Sequence, residues 1–234
     1  MTVASRRLGR RTPVIAGQPG MAGWTALPIR DRRLLEWLWA GDVVATDLAA
    51  VLAYGGRRVA QRRLSRLVEY GILRGFWAAN MQRPRGRYAY ALTKAARKTA
   101  ADGKVWAPSP VIHQLATHDL LAAFLRASPA AEEIGLVGWV PERAAARLYD
   151  DYVRPDAIAV FRARARASVL FIERDLGTER RDVIGAKVDR YRLVTTRFRQ
   201  REASLGIVVE SARRAAAIRS SLRHREERLG HAER

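Results

Sequence analysis

Three acids in the second half of the chain have the spacing to do phosphate chemistry. They are Asp156, in VRPDAIAVF, and Glu173 and Asp175, in SVLFIERDLGTE. Both stretches read as neighbouring strands, along which side chains alternate with period two. Asp156 then shares a face with Ile158 and Val160, and Glu173 shares one with Asp175. The run Val169-Leu170-Phe171-Ile172 has no polar side, which is the pattern of a strand covered on both faces. Carboxylates at the end of a buried sheet lose hydration, and the usual compensation is a hard divalent cation held by oxygen ligands. A plainer account stays open. Asp156 can be a turn residue after Arg154-Pro155, Glu173-Arg174-Asp175 can be a solvated strand end, and 39 arginines can pair with all three acids.

A helix is expected after Gly177-Thr178-Glu179. Ile184, Lys187, Tyr191 and Val194 fall on one stripe of it at helical spacing. A lysine within an inward stripe is unusual, although a lysine can also snorkel outward. The chain has only four lysines against 39 arginines, and Lys187 is the single one in the C-terminal half. A lysine is a compact point charge that can orient a water or steady a phosphorane, where arginine is a rigid fork.

These residues resemble the replication-relaxation protein family, found on plasmids and integrative elements of GC-rich bacteria. Asp156 within RPD, the E-x-D-x-G-T-E run from Glu173 to Glu179, and the downstream Lys187 and Tyr191 carry the resemblance, which extends from about Leu27 to Ala217. It implies a winged helix followed by a restriction-endonuclease-like core similar to the PD-(D/E)xK nucleases. Asp156 would match the first acid and Glu173 the second. Asp175 stands where that pattern has lysine, so Lys187 would supply the amine from the helix. The implied catalytic set is Asp156, Glu173, Asp175 and Lys187, with Mg²⁺ held by Asp156, Glu173 and Asp175.

Composition points the same way. The chain has 234 residues, a net charge of +20 and a pI near 11.4, a field that favours a polyanion, nucleic acid by default. A basic membrane-surface protein needs a long helix with one strongly apolar face, and none is visible. There is no cysteine, so neither disulfides nor thiolate chemistry enter. No apolar run reaches membrane-spanning length, and the N-terminus has no secretory signal, so the expected location is cytoplasmic. There is no His-x-His pair and no Walker A loop, which removes tyrosine-relaxase metal sites and P-loop motors. His113 and His118 are read as structural.

The elements that must position these groups follow from periodicity. Residues 1–23 read as a basic disordered arm. A helix opens at Pro28 and runs through Leu34, Leu35, Leu38 and Trp39. Thr46 is placed to cap a second helix to Tyr54, Gly55-Gly56 turns the chain, and a third helix spans Arg57 to Glu69. The inner face of the third helix is Ala60, Leu64, Leu67 and Val68. Its outer face offers Arg57, Arg58, Gln61, Arg62, Ser65 and Arg66 to DNA. The strands Ile72–Trp77 and Tyr88–Leu92 flank a basic turn, placing Arg83, Arg85 and Arg87 at the tip of a wing, and Thr93 caps a closing helix. This is the order of a winged helix-turn-helix over residues 24–105. Lys104–Pro110 marks a boundary. The order α-β-β-β-α-β-α over 111–220 suits a mixed sheet flanked by helices, and 221–234 reads as a charged tail. The fold class is therefore α+β or α/β.

Two functions fit. One is a mobile-element DNA-binding protein for plasmid replication, relaxation or transfer, with a metal-dependent nicking core. The other is a non-catalytic winged-helix regulator or relaxosome accessory whose second domain dimerises or binds protein. The partners expected are double-stranded DNA, with a relaxase or replication proteins alongside.

Overall fold

The third helix forms because three small or branched apolar residues recur at i, i+4 and i+7. Ala60, Leu64 and Leu67 are fully buried, and the charged residues fall on the remaining arc. The same logic builds the rest of the chain. In the computed structural model, residues 24, 26–80, 83–99, 111–127, 134–149, 152–163, 166–197 and 203–232 are described. The basic arm 1–23 and the boundary 104–110 lie outside them.

The N-terminal part comprises α1 (Ile29–Gly41), β1 (Val43–Ala45) and α2 (Thr46–Ala49), which widens into a π turn over Ala50–Tyr54. Next come α3 (Arg57–Glu69), β2 (Leu73–Asn80), β3 (Arg83–Leu92) and α4 (Lys94–Thr99). Gly55, with φ 74°, makes the turn before α3, a conformation that side chains with a Cβ rarely adopt. The strands form a small antiparallel sheet in the order β1-β3-β2. Strand β1 pairs through Val43↔Ala91 and Ala45↔Ala89. Three points differ from the sequence expectations. Thr46 begins α2 instead of capping it, and its hydroxyl bonds the Tyr90 phenol. Val68 lies at the exposed margin of α3, a step beyond the buried arc. Arg83, Arg85 and Arg87 lie on β3 rather than in a long turn. Thr93 does cap α4, its Oγ1 accepting from the Ala96 N–H at 3.2 Å.

The C-terminal part comprises α5 (Val111–Ala127), β4 (Ile134–Pro141), α6 (Glu142–Leu148), β5 (Ala157–Ala163), β6 (Arg166–Asp175), α7 (Arg181–Arg197), β7 (Ala203–Val209) and α8 (Ala212–Ala232). The open four-stranded sheet runs β4-β5-β6-β7. Its first two pairings are antiparallel and β6–β7 is parallel, with α7 as the crossover, so the sheet is mixed as expected. Strand β6 is buried on both faces. Phe171 packs with Tyr191 and Val194 of α7, while Ile172 packs with Trp139, Leu121 and the N-terminal helices. The helix α8 continues to Ala232, through most of the charged tail, and Arg225 on it reaches Asp189 on α7 with Nε at 3.0 Å.

One core joins the two parts. Leu34, Leu38, Leu64 and Leu92 belong to the same buried cluster as Leu121, Trp139, Ala157 and Ile172. Trp37 on α1 meets the His118 ring on α5 edge-on at 5.0 Å. His118 is therefore structural. Burial drives its pKa down to about 3, so the imidazole is neutral.

Candidate active site at the end of the mixed sheet

The register Ala157↔Ile172 places Asp156, one residue before β5, opposite Glu173 on β6. Asp156 Oδ2 accepts the Arg174 backbone N–H at 2.5 Å, which carries the β5–β6 pairing one step further. Two carboxylates are thus set side by side at the sheet end. Helix α7 crosses this face and delivers the partners its stripe foretold. Lys187 Nζ donates to Glu173 Oε2 at 2.8 Å and to Glu179 Oε1 at 2.7 Å. Tyr191 Oη donates to Glu173 Oε1 at 2.5 Å.

Glu173 is buried, its side chain only 8% exposed. Burial and then the neighbouring Asp156 push its proton affinity up, while the Lys187 and Tyr191 donors work the other way without prevailing. Burial opposes the charge on Lys187, yet the Glu173 carboxylate, helped by Glu179, holds its pKa above the ordinary lysine value. Lys187 is a fixed cation. Burial and Glu173 raise Tyr191 well above an ordinary phenol, so it serves as a donor.

Asp175 shares the strand face with Glu173 but does not converge with it. Its Oδ1 accepts the Gly177 N–H at 2.8 Å in the turn after β6, where Gly177 has φ 83°. Its Oδ2 is held by Arg214 Nε at 2.6 Å. Arg214 also reaches the Glu179 carbonyl, so it ties strand end, loop and α8 together. Burial would raise the Asp175 pKa, but Arg214 and the Gly177 N–H bring it below the usual carboxylate range. Asp175 is thereby held as an anion.

His113 was read from sequence as structural, and the structure brings it to the site. Its Nε2 lies 2.8 Å from Asp156 Oδ1. That hydrogen bond raises the imidazole pKa against the effect of burial. Asp156 and His113 line a cleft between α1, α5 and α6, and Glu173 and Lys187 line a smaller one against β7.

Among the described residues, no three His, Asp or Glu side chains group to hold a metal ion. Asp156 and Glu173 are adjacent carboxylates, and a cation between them would displace donors of the chain: His113 and the Arg174 N–H from Asp156, Lys187 and Tyr191 from Glu173. Asp175 is engaged in the same way, by the Gly177 N–H and Arg214. Lys187 is shared by Glu173 and Glu179, while His113 serves Asp156; Mg²⁺ commonly takes only one or two carboxylates, completing its shell with water and phosphate.

The second group of candidate residues lies on α3. Arg57, Arg58, Gln61, Arg62, Ser65 and Arg66 are all exposed. Arg57 makes a loose pair with Asp47 at 3.5 Å. Arg63 turns inward instead, its Nε 3.2 Å from the buried Asp31, which also accepts from Tyr54 Oη at 2.8 Å. Arg87 is placed differently from the expectation. It pairs with Ala78 below the hairpin end, and its Nη1 holds both Asp119 oxygens on α5 at 2.8 and 2.6 Å. Arg83 and Arg85 are on β3 near the hairpin end, with side chains outside the described residues.

Fold and site together define an α+β protein with two open sheets, whose larger sheet ends in two adjacent carboxylates, the buried one served by a lysine and a tyrosine. A family model described as replication-relaxation matches residues 40–209, and the chain belongs to that family. No curated protein and no solved structure matches it. Membership links the chain to replication or relaxation, as the sequence motifs led us to expect. Among the described residues no helix is long and apolar enough to cross a membrane.

Proposed function

We propose that this is a cytoplasmic DNA-binding protein of a mobile element, acting in plasmid replication, DNA relaxation or transfer. Its N-terminal part serves as a winged helix, with α3 reading duplex DNA and the β2–β3 hairpin as wing. Its mixed sheet is a restriction-endonuclease-like core that nicks DNA with Mg²⁺. The observation that carries this reading is the Asp156–Glu173 pair with Lys187 at 2.8 Å from Glu173. A carboxylate pair and a fixed lysine at a sheet end can together hold a cation and a positive charge against a scissile phosphate.

Asp156 and Glu173 would hold the Mg²⁺, which supplies charge stabilisation at the scissile phosphate and a bound water of lowered pKa. Lys187 keeps a positive charge beside that position at every physiological pH. Tyr191 fixes one Glu173 oxygen, and His113 fixes one Asp156 oxygen, so both acids are oriented before substrate arrives. Arg174 and Arg214 keep the strand end and the following loop in place.

The test is a supercoiled plasmid incubated with the protein and each metal. Nicking with Mg²⁺ or Mn²⁺, binding without cutting in Ca²⁺, and loss of nicking in Asp156→Ala and Glu173→Ala are the expected results. Nicking that survives either substitution overturns the site. A second reading rests on one observation: protein donors already reach both oxygens of Asp156 and of Glu173. On that reading the cluster is an ion-pair network inside a non-catalytic relaxosome accessory or regulator, whose second half dimerises or contacts a relaxase. No nicking with any metal selects it.

A further inference from the structure

We infer that the β2–β3 hairpin carries a stacking site for unpaired DNA bases, built on Trp77 and Tyr88. This deepens the DNA-binding reading above and rests on it. One face of the hairpin begins as core. Leu73, Tyr90 and Leu92 are buried against the helices, and Tyr90 is tied to Thr46. The same face then climbs past the helices and stays aromatic. Trp77 and Tyr88 are a cross-strand pair. Tyr88 meets Tyr90 edge-on at 5.2 Å, and Trp77 meets Tyr88 edge-on at 5.4 Å. Trp77 is nevertheless 69% exposed and Tyr88 42% exposed.

Each ring of the ladder leans on the next. The Tyr88 ring leans over Gly75, where a Cβ would come within 2.8 Å of Tyr88 Cζ, so the glycine gives the ring its seat. Trp77 is braced from below by Tyr88 and uncovered above. An indole left in water is costly, and contiguous exposed aromatics mark binding surfaces.

The partner's chemistry follows from the surroundings. The chain carries +20, and α3 presents Arg57, Arg58, Arg62 and Arg66 to solvent, while Arg83 and Arg85 lie further along the hairpin. A ligand drawn to this charge is polyanionic, and one that also covers the exposed rings offers flat apolar faces. A nucleic-acid strand with unstacked bases has both. In closed duplex the base faces are covered by their neighbours, so the site discriminates for unpaired nucleotides at a junction, gap or melted segment. Stacking of this kind tolerates any sequence, because every base has a π-face.

Fluorescence anisotropy with the full chain tests this, using two probes: a blunt duplex, and the same duplex with a single-stranded flank. Wild type should bind the flanked probe more tightly. Trp77→Ala should weaken the flanked probe about 5- to 150-fold and change the blunt probe less than about twofold, with the melting temperature unmoved. Trp77→Phe, which keeps a ring, should recover part of the loss. Equal effects on both probes, or none, overturn the stacking site. So does a Trp77→Ala variant that loses self-association or binding to anionic vesicles while keeping its preference for the flanked probe, because the patch then serves protein or lipid. If wild type binds neither probe, the failure lies with the DNA-binding reading itself.

Discussion

Replacing Lys187 by methionine isolates the electrostatics of the site. The substitution keeps the stem volume and removes the charge, leaving Glu173, 8% exposed on its side chain, beside Asp156 with only Tyr191 as donor. Removing one partner of a buried ion pair costs about 3–5 kcal/mol. Lys187 is itself 28% exposed and shared with Glu179, which places the cost near the lower end, about 3 kcal/mol. In a chain of this size that lowers Tm by roughly 6–12 °C. The loss must depend on pH. Glu173 already sits above its unfolded value, and removing the ammonium raises it further. A group with a raised folded pKa contributes stability that is full below the unfolded pKa, about 4.3, and is lost as pH rises through the folded value. The gap between wild type and Lys187→Met should therefore widen from pH 4 to pH 7. Adding Glu173→Gln should recover most of the loss, since a neutral pair leaves no buried charge to compensate. Chemical denaturation of the four proteins of this cycle at both pH values measures it. A single mutant as stable as wild type at pH 7, or a double mutant no better than the single, refutes the assignment of Lys187 as the cation that holds Glu173.

Three further outcomes follow from the geometry. Arg58→Ala with Arg62→Ala should reduce the slope of log K against log salt by about two units if both meet phosphate, measured by anisotropy with a duplex probe. An unchanged slope removes α3 from the DNA contact. Arg214→Ala should destabilise the protein by about 2 kcal/mol at pH 7. Asp175 has a depressed pKa and contributes stability above about 3.9 that is lost as pH falls through its folded value, so the difference in Tm should shrink toward acid pH. In the plasmid assay Asp175→Asn should retain nicking where Asp156→Ala and Glu173→Ala abolish it, because Arg214 ties that carboxylate to the following loop and α8.

Periodicity made α3 legible to the residue, and it put Lys187 and Tyr191 on the stripe that meets Glu173. Local pattern was sufficient there because each residue's role depends on neighbours three or four positions away. What stayed hidden depends on distant parts of the chain. Val43–Ala45 is too short to alternate, and becomes a strand only because β3 offers it an edge. Glu142–Leu148 is two turns long and follows a proline, so it left little periodic signal. His113 lies in the first turn of α5, and nothing near it in sequence announces Asp156. Arg214 is one arginine among 39, and no spacing marks it as the partner of Asp175. Alternation did place Asp175 on the face of Glu173, but the tight turn at Gly177 decides where its oxygens point.

The core that runs from Leu34 to Ile172 makes the two halves of the molecule a gauge of fixed length. Arg87 bound to Asp119, and Arg143 within 3.4 Å of Asp42, brace the same junction from outside. A protein whose grip and whose acid pair swing on a tether can act anywhere within reach of the tether. With the two welded through shared leucines and tryptophans, distance and angle between α3 and the sheet end are properties of the fold. On the proposed reading, the strand position that meets Asp156 and Glu173 is then set by where α3 sits, a constant number of base pairs away. A cavity made in that junction, far from either surface, would blur the offset before it weakened either one.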